Sequence, residues 1–224
     1  MNLVQRSSFR LVIIISVLGV LLFGLYIYSY QQLVTKGSLL ADEHCIKINP
    51  LIIARKNSYL DEMKLIQASA SAEEVQKSLQ DYLVASNAYL SEEGVWLNKQ
   101  REYLDSKMFK LLIPSYVKEA AEDQYQMYEA DHKSSFYTSK SFSATNQEEQ
   151  IDLMNQIVEE TAKSKVAGDR YNEAWERNKG KTTWQYNFVK VPQSNCPADN
   201  FIIPDTDNPL SPKVPADTNP DVSG

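Results

Sequence analysis

A single uncharged stretch, residues 11–30, constrains this chain more than any other part of its sequence. It reads LVIIISVLGVLLFGLYIYSY. An α-helix rises about 1.5 Å per residue and the hydrocarbon core of a bilayer is about 30 Å thick, so about 20 apolar residues span it. We therefore expect a transmembrane anchor over residues 11–32, followed by a domain held at the membrane by this one helix.

The charges around this stretch predict its orientation. Arg6 and Arg10 precede it, and no acidic residue does. Because Lys and Arg concentrate on the cytoplasmic side of a span, we expect residues 1–10 inside the cell and the C-terminal domain outside, in the periplasm or the extracellular space. A cleaved signal peptide is the alternative, but its apolar region is usually about 7–15 residues long. We favour a retained, single-pass anchor in the cell membrane.

Composition limits what the remainder can bind. The net charge of the 224-residue chain is −6, and because the first ten residues contribute +2, the remainder carries −8. A nucleic-acid-binding protein needs Lys and Arg to neutralise phosphates, so we expect no nucleic-acid partner. The same negative charge argues against tight contact between the domain and anionic lipid.

The only two cysteines, Cys45 and Cys196, lie beyond the anchor at the two ends of the helical region. Disulfides form and persist outside the cytoplasm. We therefore predict a disulfide between them, with two unpaired thiols as the alternative. The enclosed loop of about 150 residues corresponds to roughly 4–5 kcal/mol of stabilisation in the chain-entropy model.

Hydrophobic periodicity predicts an all-α domain over residues 50–196. Apolar residues recur every three or four positions in four segments, which we interpret as helices over residues 51–69, 72–113, 115–137 and 147–178. These helices would form an elongated antiparallel bundle of three or four members. Four is favoured because an even number brings both cysteines to the same end.

Other segments are predicted to be irregular or extended. Residues 33–49 form a linker, with a helix break at 36–38 and a short extended piece at 46–48. Residues 182–191 alternate aromatic and β-branched side chains, which predicts a strand. Residues 197–224 contain six of the nine prolines and five Asp, so we expect a disordered tail that cannot bury enough apolar surface to fold.

The second predicted helix carries the clearest pattern in the chain. Its leucine seam has a polar residue at alternate positions beyond Leu83: Ser86, Glu93 and Gln100. One position away, four aromatic residues step by seven: Tyr82, Tyr89, Trp96 and Tyr103. The simpler interpretation of this row is core that packs against a neighbouring helix. The alternative is a lengthwise aromatic surface that binds a partner protein or a glycan.

On the last predicted helix, we expect a different core-facing row. It follows the same three-and-four spacing and consists of Met154, Ile157, Thr161, Ser164, Gly168, Tyr171 and Trp175. The small residues in this row would let a neighbouring helix approach closely.

Two places hold side chains that could carry chemistry. Asp42, Glu43, His44 and Cys45 are four potential metal ligands in a row, but structural zinc prefers paired spacings. Asp131 and His132 lie on the third helix, where Glu129 could pair with His132. We interpret both places as structural and expect no metal and no cofactor. Nucleophile elbows, phosphate-binding glycine loops and haem motifs are lacking from the sequence, so we expect no enzyme.

Two functions therefore remain. The first is a non-enzymatic scaffold or accessory subunit of a membrane or cell-surface complex, which binds other envelope or membrane proteins, a second copy of itself included. The second is a ligand-binding or sensory four-helix domain. Because about ten cytoplasmic residues offer no output domain, such a sensor would have to signal through a partner.

Overall fold

The computed structural model describes residues 3–181 and 184–197, and this part of the chain is helical, with no strand. The helices are α1 (Leu3–Glu43), α2 (Asn49–Gln67), α3 (Ala72–Asp105), α4 (Lys107–Leu112), α5 (Ser115–Ser141) and α6 (Gln147–Asn178). A π-helical turn, His44–Ile48, joins α1 to α2, and a 3-10 turn covers Trp184–Phe188. The predicted tail beyond Pro197 lies outside the described residues.

The first helix is long and largely apolar, and within the described residues it contains the one stretch long and apolar enough to cross a membrane. It includes the positions of Arg6 and Arg10 and continues through residues 33–43. The break predicted at residues 36–38 is therefore wrong. Gly37 lies inside the helix, where a side chain at this position would stand 2.8 Å from the hydroxyl of Tyr103. The glycine allows close packing rather than ending the helix.

The helical path also continues through residues 44–48, where the sequence predicted an extended piece. Here the backbone makes a π-helical turn, in which the N–H of Asn49 donates to the carbonyl of His44. Pro50 follows in the first turn of α2, a position that tolerates its missing N–H. Because His44, Cys45 and Ile48 are buried, packing holds this turn in a helical form that its alternating sequence does not favour.

The helix predicted over residues 72–113 is in fact two helices. It starts as expected with a capping box, in which the backbone N–H of Glu74 donates to Ser71 and that of Ser71 donates to Glu74. It ends at Asp105 because Ser106 adopts an extended backbone (ψ 139°) and caps α4. The N–H of Phe109 donates to the Ser106 hydroxyl over 3.2 Å. Serine is a preferred N-cap residue, so the break has a local cause.

The remaining helix bounds are close to expectation. Pro114 separates α4 from α5, and Ile113 before it is extended, as residues before proline usually are. Helix α6 has the predicted bounds, and its cap is Asn146, whose side chain accepts from the N–H of Glu149 over 2.8 Å. The strand predicted over residues 182–191 is wrong for its described part, residues 184–191, which forms a 3-10 turn followed by irregular chain.

The helices pack in the order α2, α3, α5, α6, and α5 with α6 is the most extensive pair. Helix α6 packs extensively only on α5, so it lies at an edge of the assembly. Helix α1 packs on α3 and α4, and its residues Tyr30, Leu33 and Leu40 belong to the same hydrophobic core as Trp96 and Leu104 of α3. Helix α1 is thus an integral part of the folded domain.

Candidate functional site

Two groups of side chains stand out as candidates for function. The first, which we call the junction, fixes α1 to the helical domain. The second, which we call the polar cluster, lies between α2, α3, α5 and α6 and consists of Arg55, Ser86, Tyr89, Glu93, Asp131, His132 and Ser164.

The junction begins with hydrogen bonds from α3 to backbone carbonyls of α1. The indole N–H of Trp96 donates to the carbonyl of Leu40 over 2.8 Å, and the hydroxyl of Tyr103 donates to that of Leu33 over 3.2 Å. The Lys99 ammonium pairs with Glu43 at 2.6 Å, and this hydrogen bond lowers the pKa of the Glu43 carboxyl. Side chains of one helix thus hold another at three successive levels.

The chain after α6 completes the junction by running along α1. Its contacts follow the order of α1: Gln185 donates to the hydroxyl of Tyr26, the backbone of Lys190 exchanges two hydrogen bonds with the side-chain amide of Gln31, and Ser194 donates to Asp42. The predicted disulfide between Cys45 and Cys196 is the last of these contacts, with the two Cα atoms 5.7 Å apart. Residues 185–196 therefore run in the same direction as residues 26–45.

The four potential metal ligands at residues 42–45 are taken up by the junction individually. Asp42 accepts from Ser194 and Asn195, which lowers the pKa of its carboxyl. Glu43 pairs with lysines, Cys45 is in the disulfide, and the ring of His44 lies 4.5 Å from those of both Trp96 and Tyr128. Within the described residues, no group of three or more His, Cys, Asp or Glu is placed to hold a metal ion.

The polar cluster is centred on Glu93, which is fully buried (0% exposed). One carboxylate oxygen lies 3.1 Å from Nδ1 of His132, and the other has no hydrogen-bond partner among the described residues. The sequence suggested Glu129 as the partner of His132. Instead Glu129 pairs with Lys133 one turn further along its own helix.

Neighbouring groups surround this pair from the other helices. The Arg55 guanidinium stands 4.5 Å above the ring of Tyr89, and Ser164 donates to Asp131. Burial, together with the nearby Glu93 carboxylate, raises the pKa of Asp131 to about 6. Burial also raises the pKa of Tyr89 well above its usual value. The cluster therefore combines titratable groups from three helices with a hydroxyl from the fourth.

A second buried titratable group lies beside the cluster. His44 is buried between Trp96 and Tyr128, and its Nε2 lacks a hydrogen-bond partner within the described part of the chain. Burial lowers the pKa of its imidazole to about 4. The ring is therefore neutral near pH 7 and becomes charged as the pH falls to about 4.

The aromatic row that the sequence offered as a partner-binding surface lies in the interior. Tyr82, Tyr89 and Trp96 are buried and Tyr103 is half-buried. The ring of Tyr82 contacts that of Phe142, and the ring of Tyr103 contacts that of Phe109. These contacts favour the core interpretation over an open docking surface.

One exposed apolar surface lies on α6. The buried side of α6 presents Leu153, Glu160, Ser164, Ala167, Gly168 and Ala174, so Ser164 and Gly168 of the expected row are buried, while Leu153, Glu160, Ala167 and Ala174 each lie one position before a member of that row. Met154 and Trp175 of that row are exposed. On the opposite side, four exposed apolar residues form what we call the outer face: Ile151, Met154, Val158 and Val166. Sequence periodicity alone did not separate these two sides.

In comparisons with known proteins, no family model, no curated protein and no solved structure matches this chain.

Proposed function

We propose that this chain is a membrane-anchored, non-enzymatic scaffold or accessory subunit that binds another protein outside the membrane. The outer face of α6 carries this proposal. Val158 is 65% exposed and lies with Ile151 and Met154 on the side of α6 opposite its core contacts. Because α6 packs extensively only on α5, this apolar face is free to contact a partner, and contiguous exposed apolar patches are typical of interaction sites.

The junction supports the same proposal. Helix α1, the proposed membrane anchor, continues into the domain without an irregular linker and is tied to it by side-chain hydrogen bonds and a disulfide. A domain held in this way presents α6 at a fixed height and direction relative to the membrane. A fixed geometry lowers the ordering cost of assembling a complex.

The test is affinity capture of the full chain from gently solubilised membranes, with mass spectrometry of the proteins that co-elute. The variant Ile151→Lys/Val158→Lys places two charges on the outer face. The matched control is Val84→Lys on α3, since Val84 is also 65% exposed. We expect a stoichiometric partner with the wild type and the control but not with the α6 variant. A wild type that elutes alone would contradict the proposal.

A sensory domain is the second candidate, and the polar cluster is the observation that favours it. Buried and half-buried titratable groups from three helices lie around Glu93 and Tyr89, so protonation or a small ligand could alter the packing of these helices. Circular dichroism and thermal unfolding of the full chain between pH 8 and pH 4 test this candidate. A cooperative change in tertiary signal that Glu93→Gln abolishes would support it, and an unchanged near-ultraviolet spectrum would exclude a pH-driven form of it.

A further inference from the structure

Two short elements lie beside the outer end of the predicted span. Helix α4 packs on α1, and its Phe109 shares a core with Tyr30 and Leu33, which flank the end of the span at residue 32. The 3-10 turn lies deeper, beside the outer half of the predicted span, because Phe188 makes an edge contact with Phe23 (centroids 5.7 Å apart) and Gln185 donates to Tyr26. Helix α4 is therefore placed at the level of the lipid headgroups of a spanned membrane, and the turn lies about 9–14 Å below the last residue of the span.

These elements expose large apolar side chains at that level. Leu111 of α4 is 78% exposed, and Met108 on the same helix is also exposed. Phe188 and Val191 are exposed on the segment that follows α6. Exposed apolar side chains at the membrane-near end of a domain are unfavourable in water. Their transfer into the interfacial layer of a bilayer is favourable.

Charge around these side chains suits the same environment. Although the domain as a whole is negative, five lysines belong to the segments at this end: Lys36, Lys107, Lys110, Lys181 and Lys190. The nearby acid Asp105 is already paired with Lys110 and Arg101. Several lysines are therefore available at this end of the domain, although the domain as a whole is negative.

We propose that this basal face, formed by the exposed side of α4 and the 184–191 segment, contacts the bilayer that α1 spans, with α4 at the headgroup layer and the segment beside the outer half of the span. The occupant is the bilayer itself rather than a protein, because Phe23 and Tyr26 belong to the predicted span and Leu33 follows it directly. The domain then rests on the membrane at two places besides its anchor, which restricts its tilt. This inference rests on the proposed membrane anchor.

Spin labels on the full chain test the basal face. Single variants Leu111→Cys and Asn187→Cys carry a nitroxide, and the chain is placed in vesicles of phosphatidylcholine with phosphatidylglycerol. The control is Val84→Cys, an exposed position in the middle of α3. Collisions with oxygen, which partitions into lipid, are compared with collisions with a water-soluble nickel chelate. We expect the ratio of oxygen to nickel collisions to be several times higher at Leu111 and Asn187 than at Val84.

If either basal label collides with nickel as often as the Val84 label does, the basal face does not lie on lipid, and another occupant must be sought. Flotation of the same samples separates this failure from failure of the anchor. A chain that floats with the vesicles but shows water-exposed basal labels contradicts the basal face alone. A chain that does not float contradicts the anchor on which the inference rests.

Discussion

At the scale of single residues, the main feature is Glu93, a carboxylate at a seam position where the repeat places leucine on either side. Ser86, Glu93 and Gln100 recur in the leucine seam, and all three are buried. The partner of Glu93 was not foreseeable, because His132 lies 39 residues away on another helix. A sequence pattern gives the side of a helix on which a residue lies, but the facing residue depends on how the helices align.

Asp131→Asn should stabilise the protein at neutral pH. The folded state raises the Asp131 pKa from 3.8 to about 6, so the folded protein binds the proton more tightly than the unfolded chain does. Its contribution to stability is therefore present below pH 3.8 and is lost as the pH rises to about 6. A shift of about 2 units corresponds to about 3 kcal/mol. Asparagine keeps an acceptor for Ser164 without the charge.

The measurement is chemical unfolding of wild type and Asp131→Asn at pH 7.5 and at pH 4. We expect the variant to be more stable by about 1–3 kcal/mol at pH 7.5 and nearly equal at pH 4. If the variant and the wild type differ in stability by the same amount at pH 7.5 and at pH 4, burial does not destabilise the ionised Asp131 carboxylate.

The variant His44→Phe tests a group whose pH dependence of stability has the opposite sign to that of Asp131. Burial lowers the folded-state pKa of His44 from 6.5 to about 4, so the unfolded chain binds this proton more tightly. Its contribution to stability is present above pH 6.5 and is lost as the pH falls to about 4, by about 3 kcal/mol. Phenylalanine keeps the ring contacts with Trp96 and Tyr128. The stability of the variant relative to wild type should therefore rise as the pH falls through this range, and a constant difference would contradict the burial of a neutral ring.

At the scale of elements, Gly37 shows how a strong local signal can be misread. Glycine lowers helix propensity by about 1 kcal/mol relative to alanine, so a break at this residue is a reasonable expectation. The structure keeps the helix because Tyr103 approaches the glycine and donates to the carbonyl of Leu33. The reason for the glycine lies 66 residues away, beyond what local propensity can indicate.

A double-mutant cycle on Gly37 and Tyr103 makes this explanation quantitative. In the wild-type background, Gly37→Ala gains helix propensity but pushes the Tyr103 hydroxyl away, so we expect little net change in the free energy of unfolding. In the Tyr103→Phe background, which lacks the hydroxyl, Gly37→Ala should stabilise by about 0.5–1 kcal/mol. If Gly37→Ala has the same effect in both backgrounds, the two side chains are not coupled.

The predicted elements show the same division between local and tertiary causes. The start of α3 at Ser71 and the bounds of α6 follow from caps and periodicity, and both predictions are confirmed. Residues 46–48 and 182–191 were predicted as extended from alternation, but the first is a π-helical turn and the second contains a 3-10 turn. Both segments pack on α1, and tertiary contact overrides weak strand propensity over so short a length.

At the scale of the whole molecule, the disulfide and the segment after α6 join the two ends of the helical domain to α1. The pairing of Cys45 with Cys196 was predicted from compartment and position, and the structure contains it. The course of residues 185–196 along α1 was not predicted, because its contacts are single polar pairs with no periodic signal. The result is one unit in which the apolar helix, the core and the chain end are connected.

The orientation of this unit in a membrane tests the account most directly. Single cysteines are introduced at Ser7, before the span, and at Val84, on α3, and cells that express the full chain are treated with a membrane-impermeant maleimide. Because Arg6 and Arg10 predict a cytoplasmic N-terminus, the account predicts labelling of Val84→Cys in intact cells and of Ser7→Cys only after lysis. Labelling of Ser7→Cys in intact cells, or protection of Val84→Cys until lysis, would contradict a domain anchored outside the membrane.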